Sequence, residues 1–185
     1  MTTTLIKTDI NSPLIINKPG IQLLLGCART QVDELTQVRI KNLVEQEIDW
    51  NYLILMAKRH GLIPLLFYNL NKLCREAVPQ HIFSELEQYF KIHTRRSLIL
   101  TNELLQILDI FKANNIQAIP FKGSTLAISA YKSLALRQFC DLDILISKQD
   151  TMRCVELLTS IGYSLPKFID ELDQKPYIKN HLFLE

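Results

Sequence analysis

Residues 121–146 read FKGSTLAISAYKSLALRQFCDLDILI. The stretch opens with Lys122, Gly123 and Ser124, continues as a short helical run, and closes on an apolar strand interrupted by Asp141 and Asp143. Side chains alternate across a strand. Leu142, Ile144 and Ile146 therefore share a face that can pack on helices, and Asp141 and Asp143 share the other, with α-carbons about 6.6 Å apart. Two ionised carboxylates that close repel, and burial adds a desolvation cost. A divalent cation between them removes the conflict. Magnesium prefers oxygen ligands and is commonly held by one or two carboxylates together with substrate phosphates. The plain alternative is a solvated pair at a sheet edge.

The turn has complementary chemistry. Gly123 permits backbone conformations closed to other residues and lets a ligand approach closely. Ser124 suits the N-cap of a helix starting at Thr125, and a helix N-terminus offers free N–H groups and partial positive charge to a phosphate. Lys122 adds a full charge, and Arg137, just ahead of the strand, brings forked donors suited to the same anion. Each feature has an ordinary reading alone: a strand-to-helix turn, a surface arginine. Together, on adjacent strands of a β-α-β unit, they put a phosphate cradle and an acidic pair at one end of one sheet.

Around this stretch the pattern is mixed. IQAIPF at 116–121 is short, apolar and partly β-branched, as a strand requires. SKQD at 147–150 fits a capping box ahead of a helix TMRCVELLTSI, with Gly162 as its C′ residue. HLFL at 181–184 reads as a further strand. Upstream the chain is helical. IQLLLGCA is a short apolar helix. VDELTQVRIKNLVEQ places Val32, Leu35, Val38, Ile40 and Val44 on one face. DWNYLILMAKRHG starts at the N-cap Asp49 and stops at Gly61, and Pro64 falls in the first turn of the next helix. Pro79 opens an amphipathic segment with Phe83, Leu86, Phe90, Ser97, Thr101, Leu104, Leu108 and Phe111 at three- and four-residue steps. It ends at Asn114-Asn115, and its length predicts a break near residues 93–96. The expected organisation is a loose arm over 1–19, a helical region over 20–114 and a core over 115–185. The expected fold class is α+β, a helical N-terminal region followed by a β-α-β-α core with a small sheet; the family resemblance described below implies that this sheet is mixed.

Composition sets the outer limits. A chain of 185 residues, 48% hydrophobic and 22% charged, accommodates one domain or one small domain with an appendage. A net charge of +2 is too small to argue for nucleic acid or an anionic membrane. No apolar run approaches the roughly 20 residues of a spanning helix, and the N-terminus lacks the layout of a secretory signal. Cys27, Cys74, Cys140 and Cys154 form no C-x-x-C pair and sit in apolar contexts, so free buried thiols in a reducing cytoplasm are expected. His60, His81, His93 and His181 lack metal-ligand spacing and read as surface or packing residues.

On these residues the segment resembles the nucleotidyltransferase superfamily, with its DNA polymerase beta-like core: a Gly-Ser turn and helix followed by Asp-x-Asp on the next strand. It is most similar to an uncharacterised nucleotidyltransferase-like family. Phe121, Lys122, Gly123, Leu126, Ala127, Tyr131, Arg137, Asp141, Asp143, Ile144, Leu145 and Ile146 stand at the family's motif positions, with Gly162-Tyr163 after the last helix. The resemblance implies Mg²⁺ (or Mn²⁺) held by Asp141 and Asp143 as catalytic acids, and nucleotide phosphates on Lys122, Gly123, Ser124 and Arg137. It also implies transfer of a nucleotidyl group from an NTP to an acceptor hydroxyl.

The sequence departs from the superfamily at one point. Active members use a third carboxylate on a later strand, and Asp170, Glu171 and Asp173 lie in a polar, loop-like stretch while Glu185 comes too early. Two strands also make a poor independent sheet. Both points favour a sequence that continues beyond Glu185, with the third acid supplied there. The alternative is a catalytically inactive nucleotidyltransferase-fold interaction module with a protein partner, antitoxin-like or biosynthetic. A purely helical scaffold is disfavoured by the β-branched residues at 139–146.

Overall fold

The computed structural model describes residues 18–164. The arm before residue 18, the strand expected at 181–184 and the third-acid candidates from Asp170 onward lie outside the described residues. Seven α-helices and two strands are described. They are α1 (Pro19–Cys27), α2 (Glu34–Val44), α3 (Trp50–Arg59), α4 (Ile63–Leu73), α5 (Gln80–Ala113), β1 (Ala118–Phe121), α6 (Gly123–Ser129), β2 (Asp143–Ile146) and α7 (Thr151–Ser160). The chain forms two compact units. One takes in the described chain through Arg96 together with Ala130–Gln138; the other takes in Ser97–Ser129 and the chain from Phe139.

The helix ends follow from local chemistry. Asp33 and Asp49 are N-caps whose side chains accept from Thr36 N and Tyr52 N at 2.9 and 3.0 Å, each answering one of the orphan donors of its first turn. α3, α5 and α7 end in the same double bond pattern. Leu62 N donates to Ala57 O at 2.8 Å, Ile116 N to Phe111 O at 2.9 Å and Tyr163 N to Leu158 O at 3.1 Å. Each is the long bond of a C-terminal cap that needs a left-handed residue, supplied by Gly61, Asn115 and Gly162.

In the first unit α1 to α4 and the start of α5 enclose a core in which Leu23, Ile40, Leu53, Leu66, Leu70 and Leu86 are fully buried. Each contributes about 1.5–3 kcal/mol by leaving water. Phe67 lies between Phe83 and Phe90, with ring centroids 5.3 and 4.8 Å away. The face expected for α2 is corrected. Leu35 and Val38 are 85% and 56% exposed, and the buried residues are Ile40, Leu43 and Val44. A β-carbon on Gly26 of α1 would stand only 3.2 Å from Ile40 Cγ1. That close approach marks the arc of α2 that turns inward; of the expected set, Ile40 and Val44 lie on it and Leu35 and Val38 do not.

α5 runs unbroken for 34 residues, so the break expected at 93–96 does not occur. No proline or glycine interrupts Gln80–Ala113, and each half of the helix has a core of its own. Phe83 and Leu86 belong to the first, Ile107 and Phe111 to the second.

In the second unit Ile107, Phe111, Ile116, Cys154 and Leu158 form a core against which Ala118, Leu142, Ile144 and Ile146 pack. The alternation read from the sequence therefore holds for the apolar face of β2. Across the sheet, Ile119 and Leu145 are partners in the ladder and are 65% and 53% exposed.

β1 and β2 pair antiparallel, Ala118 with Ile146 through Phe121 with Asp143. The mixed sheet expected from the resemblance has no parallel member among the described residues. The connection leaves β1 at Phe121 and enters β2 opposite the same residue, so it returns to the end of the sheet it left. The capping box expected at 147–150 is not formed either. Lys148–Asp150 make a 3-10 turn, Ser147 gives no side-chain cap, and α7 begins at Thr151. Cys27 and Cys154 are buried free thiols, as expected, whereas Cys140 is exposed. Among the described residues no helix is long and apolar enough to cross a membrane.

Candidate functional site

The turn after β1 carries the local strain that shapes the site. Lys122 has φ +54° and Gly123 φ +34°, both in the region that disfavours L side chains. The chain thus leaves the ladder sharply at Phe121 and enters α6 at once. Leu126 N donates to Lys122 O at 2.7 Å, so the Lys122 carbonyl closes the first turn and the helix starts at Gly123. Ser124 is therefore not the N-cap expected from the sequence. It lies inside the first turn and is buried.

The same bend fixes the acids. With β1 turning away after Phe121, nothing remains to pair with residues before Asp143, and β2 begins there. Asp143, half-buried, is the first strand residue. Asp141 falls in an exposed bend two residues earlier. The expectation that both acids ride on one strand is corrected accordingly.

The turn and the acids nonetheless meet. Phe121 is the ladder partner of Asp143, and Lys122 and Gly123 follow it directly. A β-carbon on Gly123 would lie 3.5 Å from the backbone oxygen of Asp141 and 3.8 Å from the Phe139 ring. Glycine therefore serves the positive φ, while the two segments meet at ordinary van der Waals distance. Lys122 Nζ stands 5.1 Å from the Phe121 ring centroid, a cation-π contact that draws the charge to this end of the sheet.

Among the described residues neither the Asp141 nor the Asp143 carboxylate has a hydrogen-bond or ion-pair partner. Among the same residues no group of three or more His, Cys, Asp or Glu side chains gathers to hold a metal. Among the described residues the donor set is thus the carboxylates of Asp141 and Asp143, neither of them in a salt bridge. Such a pair fits one hard divalent ion whose other ligands are water and phosphate oxygens.

Lys122, Gly123, Ser124, Asp141 and Asp143 all belong to the second unit. Arg137 does not; it lies in Ala130–Gln138, which groups with the helical unit. There its carbonyl oxygen is 3.1 Å from His93 Nε2. Burial, and then the nearby Arg96 charge, hold His93 below the ordinary imidazole range, against the opposing pull of that hydrogen bond. Sequence reasoning passed over His93, because its partner is 44 residues away and no local spacing reveals it.

Two further contacts were equally hidden. Tyr163 donates its hydroxyl to the Glu103 carboxylate, and burial with this bond pushes the phenol up to about 12. Asn69, buried on α4, donates to the carbonyls of Cys27, Arg29 and Leu65 at 2.9, 2.9 and 3.1 Å.

Comparison with known proteins bears on the motif as a whole. No curated protein and no solved structure matches the chain. The family described as uncharacterised nucleotidyltransferase matches over residues 46–185, which takes in the turn, Arg137 and both acids. With the match spanning most of its length, the chain belongs to this nucleotidyltransferase family.

Proposed function

We propose that the protein transfers a nucleotidyl group from a nucleoside triphosphate to an acceptor hydroxyl, with a divalent cation held by Asp141 and Asp143. The observation that supports this reading is the ladder end. Phe121 pairs with Asp143, and Gly123 abuts the Asp141 backbone, so the anion-seeking turn adjoins the cation-seeking acids.

Each residue then has a chemical task. Gly123 and Ser124, in the first turn of α6, bring the positive end of the helix to the triphosphate. Lys122 contributes a mobile point charge to the same oxygens. Asp141 and Asp143 accept the cation through their carboxylate oxygens. Mg²⁺ or Mn²⁺ bound there would neutralise triphosphate charge and make the acceptor hydroxyl more acidic. Binding the triphosphate in one orientation leaves its α-phosphorus open to in-line attack by the acceptor hydroxyl, which loses its proton to solvent as the bond from the α-phosphorus to the bridging oxygen breaks and pyrophosphate leaves; this orientation is the entropic part of the catalysis.

Two measurements test the reading. Calorimetric titration of the protein with nucleoside triphosphates in Mn²⁺ should give saturable heat that chelation abolishes. Incubation with α-labelled triphosphate and cell extract should transfer label to an acceptor. Absence of binding across all four ribonucleoside triphosphates would sink the proposal.

A further inference from the structure

We propose that the outward face of the β1–β2 sheet seats the acceptor of nucleotidyl transfer, and that the acceptor is an alcohol with an apolar, aromatic or aliphatic body. The inference rests on the nucleotidyltransferase reading above and adds to it the chemical class of the second substrate.

The face follows from register and alternation. Ala118, Ile144 and Ile146 pack on the core of the second unit, so the strand residues between them turn the other way. Those residues form two ladder pairs, Ile119 with Leu145 and Phe121 with Asp143. Ile119 and Leu145 are exposed. An antiparallel sheet with one solvated face ordinarily carries polar side chains there, and a single exposed aliphatic residue is commonplace. Here two of them meet directly across the strands, about 6.6 Å along the ladder from the pair that includes Asp143. Phe121 continues the apolar surface up to that acid.

Reaction geometry identifies what covers this surface. The acceptor oxygen bonds to the α-phosphorus as the bond to the bridging oxygen breaks; the hydroxyl proton passes to solvent and pyrophosphate leaves. Entering and leaving oxygens lie roughly in line. In this reading the polyphosphate sits at the Lys122–Ser124 turn, which follows Phe121 off the end of the ladder. The hydroxyl then enters from the opposite side, over the sheet, and the rest of the acceptor lies on Leu145 and Ile119. All of these residues belong to one unit. Neither aliphatic side chain offers a hydrogen bond. A polyhydroxylated body would lose water there without replacement, whereas an apolar one gains by burial.

The test is NMR of the full chain, labelled at Ile and Leu methyls and titrated with 2-naphthaleneethanol, with glucose as the polar comparison and thermal unfolding as a check on folding. The naphthyl alcohol should shift the Ile119 and Leu145 methyl signals saturably, and glucose should leave them in place. Ile119→Thr and Leu145→Thr keep a good strand former and remove apolar surface. Each should weaken naphthaleneethanol binding by about 5- to 10-fold, read at the remaining methyl. Mn²⁺-dependent triphosphate affinity, read by calorimetry, should not fall with it. If one variant does not fold, the other decides, and if neither folds, the methyl shifts of the unaltered chain decide.

The proposal is overturned if naphthaleneethanol leaves both methyls unshifted, if it shifts methyls throughout the chain alike, or if glucose shifts these two as strongly. An equal loss of triphosphate affinity in the threonine variants puts the nucleoside on this face and overturns it as well. So do Overhauser contacts, before any alcohol is added, from either methyl to residues beyond 164 or to a second copy in an isotope-mixed sample, because the face is then already covered. Failure of the unaltered protein to bind any triphosphate while naphthaleneethanol still seats on the two methyls removes the nucleotidyltransferase reading, and the acceptor role with it.

Discussion

Phe121 and Asp143 are the terminal pair of the two-stranded ladder, and this one register relation brings the Lys122-Gly123 turn beside the acidic bend. Shifting the pairing by one residue would move Asp143 to the opposite face and bury a carboxylate against Ile107, Phe111 and Leu158. The cost of burying that charge unpaired is what holds the register.

The acids should matter for ligand and not for stability. Among the described residues neither the Asp141 nor the Asp143 carboxylate is hydrogen-bonded or ion-paired. Changing both to asparagine is expected to abolish Mn²⁺-dependent triphosphate binding and to shift stability by no more than about 0.5 kcal/mol. Calorimetry and thermal unfolding of the double variant check the two halves separately.

Gly123→Ala should damage both properties. At φ +34° an alanine costs about 1–2 kcal/mol, and relief of that strain by backbone rotation would shift the turn that adjoins the acids. Gly162→Ala serves as the control. It also has positive φ, +104°, but its methyl would meet nothing within 4 Å. It should lose stability in urea titration while binding triphosphate normally.

Asn69→Leu is expected to destabilise by about 2–4 kcal/mol, because the carbonyls of Cys27, Arg29 and Leu65 lose their shared donor at once. Urea unfolding measures the loss. Below the lowered transition the variant should bind triphosphate as the parent does, since the contact is confined to the helical unit.

His93 should impose an acid limit on stability. Its folded value is lowered, chiefly by burial, so the unfolded chain binds the proton more readily. The linkage relation then makes stability rise with pH. The contribution is fully present above the unfolded value of about 6.5 and is lost as pH falls through and below it. His93→Gln should flatten that portion of the stability profile between about pH 7 and pH 5, read by urea midpoints at each pH.

Much of the helical architecture was legible in short sequence windows. Asp49 as an N-cap, Pro64 in a first turn, and Gly61, Asn115 and Gly162 as terminators are all decided by backbone preferences within five or six residues. The apolar alternation of Leu142, Ile144 and Ile146 identified the buried face of β2 for the same reason. The candidate site was legible as a set of residue types, and five of its six members share one unit.

Other features failed to show in local pattern. Periodicity chose Leu35 and Val38 for the α2 core because it carries no information about the neighbour, and Gly26 of α1 selects a different arc. A length rule predicted a break in α5, which packing on two cores removes. Ser124 looked like a cap until the left-handed Lys122 and Gly123 moved the helix start forward.

The sequence alone determined the chemistry available: an anion-seeking Lys-Gly-Ser turn, two close carboxylates, a forked cation and the helices that frame them. Residue type and nearest-neighbour backbone preference suffice for that. Only the tertiary structure decided the antiparallel register of Phe121 with Asp143, the exit of Asp141 from the strand, and the bond from His93 to Arg137. Each of these joins segments distant in the chain, and such pairings are settled by which surfaces exclude water together, a property no local window contains.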